Sequence, residues 1–134
     1  MEMPNINVLS VVPLYIALFS LMFVPITLRA GLFRLKSKIF IGDGGDPEML
    51  RRIRGQANFV ETVPLALILL VMMEVLGASN TWLHALCGTL LAGRILHYIG
   101  LTEIGPGIAR PVGMFATLGV YLVSAGWILV DLLA

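Results

Sequence analysis

Polar material is what this chain has least of. Only 13% of its 134 residues are charged and 58% are hydrophobic, and the mean hydropathy is +0.94. Soluble domains carry about 25% charge and about 45 to 50% apolar residues, so this sequence holds too little polar surface to coat a globule. A soluble enzyme is therefore not expected, nor is a disordered or collagen-like chain. The single cysteine, Cys87, permits no internal disulfide and no cysteine-based metal cluster. There is no glycine-rich phosphate loop, no His-x-x-His pair and no serine nucleophile elbow, and no metal site is expected. Gly42 to Gly45 is rich in glycine, but Asp43 and Asp46 would repel phosphate. A net charge of +1 gives no general attraction for nucleic acid.

What the chain does have is apolar length. A helix rises about 1.5 Å per residue, so crossing about 30 Å of hydrocarbon takes roughly 20 apolar residues. Four segments meet this, at about 8–34, 48–77, 81–102 and 110–132, within one domain over residues 1–134. The expected architecture is an all-α integral membrane protein, a bundle of four transmembrane helices. The first segment is interrupted only by Pro13 and Pro25, follows no basic residue, and reads as a retained span rather than a cleaved leader. Gly42 to Pro47 forms a turn that opens the second span, Ala78 to Thr81 is a tight polar link, and Pro111 suits the first turn of the fourth span. All nine Lys and Arg lie in or beside the first and third connections. By the positive-inside rule that face is cytoplasmic and both termini lie outside.

The most informative stretch runs from Arg51 to Glu61. At 100° per residue Arg51, Arg54, Asn58 and Glu61 fall within about 80° of one another, forming one stripe along the second span. An ionised carboxylate facing lipid there costs on the order of 2.5 kcal/mol or more, so Glu61 is expected to face protein or water, paired with Arg54 through Asn58. Gln56 projects about 140° away from Arg51, so polar groups occupy both sides of the helix at similar depth. A symmetric oligomer would cover both. Arginines at a helix end often only reach for headgroups, which accounts for Arg34, Lys36 and Lys38, but snorkelling does not explain Asn58 or Glu61. Arg94, His97 and Tyr98, at i, i+3 and i+4 on the third span, lie at the same level as the stripe, as does Arg110. Together these residues describe a cationic pocket with an acid, an amide and a phenol, suited to a small peptide-like ligand with carboxylates and amines. His84 lies toward the other end.

The run Arg54-Gly55-Gln56-Ala57-Asn58-Phe59-Val60-Glu61-Thr62-Val63-Pro64-Leu65 resembles the signature of the MAPEG family, the membrane-associated proteins in eicosanoid and glutathione metabolism. Arg54, Asn58, Glu61 and Pro64 carry the likeness. Met73-Glu74 before Gly77-Ala78, and Gly93 to Tyr98, are similar to the small bacterial branch. The resemblance implies a homotrimer that binds glutathione as co-substrate at each subunit interface in the cytoplasmic leaflet of the plasma membrane. It implies that Arg51, Arg54, Asn58 and Glu61 hold the tripeptide, that Gln56 and Arg29 reach it from a neighbouring subunit, and that Arg94, His97 and Tyr98 complete the pocket. Arg110 matches the catalytic arginine that keeps the sulfur ionised. The chain departs from the pattern at Thr62, Leu101, Glu103 and Pro111, which turns the expectation from eicosanoid synthesis to a glutathione transferase, or a peroxidase, acting on a lipophilic small molecule from the bilayer. Two rivals are a small four-span transporter, disfavoured by the basic asymmetry, and a non-catalytic glutathione-binding membrane protein.

Overall fold

The computed structural model describes residues 9–134 as four α-helices: α1 (Val12–Ser37), α2 (Pro47–Val75), α3 (Asn80–Leu101) and α4 (Ala109–Leu133). They alternate in direction, so the α1–α2 and α3–α4 connections share one end of the bundle. Val8, where the first span is expected to open, lies outside the described residues. Three helices, α1, α2 and α4, are long and apolar enough to cross a membrane. Four are expected, and α3 differs because His84, Arg94 and His97 lower its apolarity, the last two being turned inward at 2% and 5% exposure.

The starts of α2 and α3 have local causes. Asp46 caps α2, its Oδ1 accepting from the amides of Glu48 and Met49 at 2.8 and 3.0 Å, and Pro47 supplies a first position that needs no donor. Ser79 caps α3 by accepting from the Trp82 amide at 3.4 Å. α2 ends at Gly77, whose φ of 89° lets the chain reverse while its amide donates to the Glu74 carbonyl. Helices α1 and α2 run through Pro25 and Pro64 respectively.

Inside the bundle, Phe59 of α2 stacks on Phe23 of α1 with ring centroids 5.5 Å apart and meets Phe19 at 6.1 Å. Val63, Leu70 and Met73 continue that face of α2 against Leu83, Leu90 and Val120. The outer faces are equally apolar, with Leu21, Leu32 and Leu122 exposed. Lipid is as good a solvent for such side chains as the core is, so helix contact in a bilayer depends on close packing and hydrogen bonds. α4 packs on α3 and α2, α1 packs on α2 and α3, and among the described residues α1 and α4 share no contact.

Candidate functional site

Two glycines set the geometry of the site. A Cβ added at Gly113 would collide with the Gly93 carbonyl oxygen and the His97 amide, and one added at Gly93 would stand 3.1 Å from the Gly113 carbonyl oxygen. α3 and α4 therefore meet backbone to backbone. The close approach lets His97 Nδ1 donate to the Arg110 carbonyl at 3.0 Å. It also lets Arg94 Nη2 donate to the Gly113 carbonyl at 3.2 Å. Arg94 then reaches α2, where Nη1 donates to Asn58 Oδ1 at 2.6 Å and to Thr62 Oγ1 at 3.0 Å. One buried guanidinium thus ties three helices together.

Where α2 begins, α3 ends and α4 begins, the helices border a half-open cavity of about 720 Å³. Its polar lining is Arg51, Arg54, Asn58, His97, Glu103 and Arg110, and its apolar lining is Leu50, Leu101, Pro111, Met114 and Phe115. Arg51 stands between two acids, with Glu48 at 3.3 Å and Glu103 at 3.6 Å. Its Nε is buried without a partner. A buried donor left unpaired costs about 1 to 3 kcal/mol, a cost that Arg94 Nε and the Ser124 hydroxyl share elsewhere in the bundle.

The cavity brings together Arg51, Arg54, Asn58, His97 and Arg110 from the sequence-derived set, but not Arg29, Gln56, Glu61, Arg94 or Tyr98. Arg94 lies off the cavity and positions its neighbours: its Nη1 and Nη2 donate to Asn58, Thr62 and Gly113, and its Nε is buried without a partner. Tyr98 faces α1 and α2: its hydroxyl accepts from Arg29 Nη1 at 3.1 Å, and its ring fills the space left by Gly55, where a Cβ would lie 2.7 Å from it. Gln56 Nε2 donates to Thr27 Oγ1 at 3.4 Å. Within one chain, then, Arg29, Gln56 and Tyr98 belong to the α1–α2–α3 seam. Arg52 reinforces that seam, bonding Glu48 at 2.6 Å and the Arg29 carbonyl at 2.9 Å, with its guanidinium 4.5 Å from the Phe33 ring centre.

Glu61 lies 3.8 Å from Arg54, and both side chains are more than half exposed. The expected relay through Asn58 is absent, since the Asn58 oxygen is turned to Arg94. Leu50, Leu101, Glu103, Pro111, Met114 and Phe115 line the cavity from outside the sequence-derived set, although Leu101, Glu103 and Pro111 are positions where the chain departs from the family pattern. Met114 and Phe115 follow Gly113 on a helix whose apolar residues all look alike to a periodicity argument. Glu103 sits in a connection where no periodicity applies.

The opposite end holds a second polar cluster. Glu74, near the end of α2, is buried, and its carboxylate accepts from the amides of Ser10, Val11 and Val12 at 2.6, 2.6 and 2.9 Å and from the Ser10 hydroxyl at 3.2 Å. It caps α1 from another helix, which is why α1 begins at Val12. Nearby, the Tyr15 hydroxyl meets His84 Nδ1 at 3.1 Å.

A family model described as the MAPEG family matches residues 12–130. The chain is also similar to proteins named inner membrane protein YecN from Escherichia coli strain K12 and from E. coli O6:H1 strain CFT073. Each is 39% identical over 88 residues, which is 65% of this chain and 66% of the relative. The matched stretch thus spans slightly under two thirds of the curated relatives' length.

Proposed function

We propose that this chain, which belongs to the MAPEG family, is a membrane-bound glutathione transferase that joins the tripeptide's sulfur to lipophilic electrophiles. The observation that carries this reading is the set of charged groups around the cavity. Three guanidiniums, from Arg51, Arg54 and Arg110, line it against one carboxylate, from Glu103. Glutathione with its sulfur ionised presents the converse, with two carboxylates and a thiolate against one ammonium. The fit extends to an apolar lining on the α4 side.

In this reading Arg51 and Arg54 hold carboxylates, and Asn58, fixed by Arg94, contributes its amide donors. Bound glutathione supplies the nucleophilic thiolate. Arg110 stands at the first turn of α4, where guanidinium and helix dipole both favour an anion. A neighbouring cation lowers a thiol's pKa from about 8.5, and each unit is about 1.4 kcal/mol. His97, by donating Nδ1–H to the Arg110 carbonyl, fixes the turn on which Arg110 stands. Met114 and Phe115 give an acceptor an apolar approach from the bilayer. As the sulfur–carbon bond forms, either a proton ends on the acceptor or a leaving group departs with the bonding pair.

Three assignments of place belong to the same proposal. The basic end lies in the cytoplasm with both termini outside, following the positive-inside rule. The chain works as an oligomer, a homotrimer by its resemblance to the family, because Glu61 and Arg54 are more than half exposed on the outer face of α2 and a neighbour would remove them from lipid. In that assembly Arg29 and Gln56, which keep further donors free, would reach a neighbour's cavity. The test is the purified protein in detergent, titrated calorimetrically with glutathione and assayed for conjugates with a panel of lipophilic electrophiles. Heat of binding together with conjugate is expected; a chain that takes up no glutathione would refute the reading.

A further inference from the structure

The connections at the two ends of the bundle differ in what they show to the outside. In the α2–α3 connection, residues 76–79, the large apolar side chain is Leu76, and it is partly buried. At the basic end the α1–α2 connection exposes Phe40 and Ile41, at 68% and 92%, and the α3–α4 connection exposes Ile104 and Ile108. Large apolar side chains grouped on an outer surface mark a place where something else is met.

The α1–α2 corner is held in that shape by its own contacts. Lys38 ends α1 at φ 58°. Arg34, expected to reach for headgroups, instead donates from Nη1 to the carbonyls of Ile39 and Gly42 at 3.1 and 2.8 Å. Ile39 folds over Gly44, where an added Cβ would stand 3.1 Å from it. With Ile39 turned in and both carbonyls pinned, Phe40 and Ile41 are left outside. Lys36 and Lys38 are exposed beside them, and among the described residues neither forms an ion pair.

Helix length says what lies opposite this corner. α1 has 26 residues, so at about 1.5 Å each it outreaches about 30 Å of hydrocarbon by roughly 9 Å. The Glu74 carboxylate at the start of α1, and the exposed Trp82 at the same end, mark the far boundary, so the excess falls at the basic end. A headgroup layer is about 5 to 7 Å deep, which puts residues 36–42 within it.

We propose that this corner is a seat for anionic phospholipid. Lys36 and Lys38 pair with the phosphodiester headgroups, and Phe40 and Ile41 enter the boundary between headgroups and acyl chains. Arg34 is the positioning residue that presents them. The seat is independent of what the cavity binds.

The experiment puts a reporter at the corner. The full chain with Phe40→Trp is reconstituted in phosphatidylcholine containing dibrominated phosphatidylglycerol or, in parallel, dibrominated phosphatidylcholine. The emission of Trp82 and Trp127, measured in the unsubstituted chain, is subtracted. Brominated lipid is expected to quench the reporter and aqueous acrylamide to spare it. Phosphatidylglycerol should do so at about one fifth of the mole fraction, the scale of one lysine at an anionic surface. Lys36→Gln with Lys38→Gln should make the two lipids equal while quenching itself persists. Arg34→Gln should open the reporter to acrylamide; no change there would remove Arg34 from the positioning role. Quenching by acrylamide alone in the parent chain would put the corner in water, and protection from both quenchers would put it against another protein chain; either overturns the seat. A preference for phosphatidylglycerol that outlasts both lysines would overturn the pairing. Should Phe40→Trp fail to fold, Ile41→Trp reads the same corner.

Discussion

The two ends of the bundle hold polar groups in opposite conditions. At the Glu74 end both carboxylate oxygens are engaged: three amides and a hydroxyl converge on one carboxylate, and Pro13 removes a donor that α1 would otherwise leave unpaired. At the cavity end Arg51 keeps a buried donor without a partner, Arg54 and Glu61 meet only at 3.8 Å, and space adjoins them. Both ends contain a glutamate on α2, Glu61 toward the cavity and Glu74 at the other end. The difference shows that an ionisable residue in an apolar helix is not by itself a site. Saturated hydrogen bonding marks a staple between helices, and unsatisfied valence beside a void marks a place for a ligand.

Breaking the saturated end should have the largest effect. Glu74→Ala orphans the first amides of α1 and is expected to cost about 3 kcal/mol of stability, read as a lowered Tm, with unchanged glutathione affinity in the protein that remains folded. A matching loss of affinity would erase the contrast between the ends. Arg94→Leu should come next, at about 2 kcal/mol, because Asn58, Thr62 and the Gly113 carbonyl lose a shared donor. Glutathione binding should weaken with it, since Arg94 sets the Asn58 amide. At the open end, Arg110→Ala should leave Tm nearly unchanged and lower the conjugation rate about tenfold, more than it lowers affinity. Equal loss in rate and affinity would make Arg110 a binding residue only. Thr62→Val, which removes one acceptor from Arg94 and keeps the volume, should cost about 1 kcal/mol or less by thermal unfolding and spare binding.

Much of this was readable in advance, for identifiable reasons. Asp46-Pro47 announces α2 because cap and first-turn chemistry are local. Arg51, Arg54 and Asn58 share a face because helical periodicity is a property of one segment. What one segment cannot reveal is which partner a side chain meets. Asn58 reads as a ligand-holding amide, yet its oxygen is bound to Arg94, thirty-six residues away. Glu61 falls in the stripe by angle, but it lies deeper along the helix than the cavity extends. Glu74 reads only as the end of a span, since nothing in its neighbourhood of the sequence says that the start of α1 will lie beside it. Glu103 requires a left-handed turn that the sequence Leu101 to Gly105 does not advertise.

The bare-backbone crossing of Gly93 and Gly113 has a mechanical consequence. With no side chain between them, α3 and α4 have no slack to slide or splay, so His97 and Arg110 move as parts of a single block. Arg94 ties α2 to that block at Asn58 and Thr62, so any breathing of the cavity falls to the turns of α2 between the Asp46–Pro47 corner and Asn58. A covalent clamp between the two glycine-bearing helices should leave ligand exchange as fast as before, and one from α2 to α4 across the mouth should arrest it.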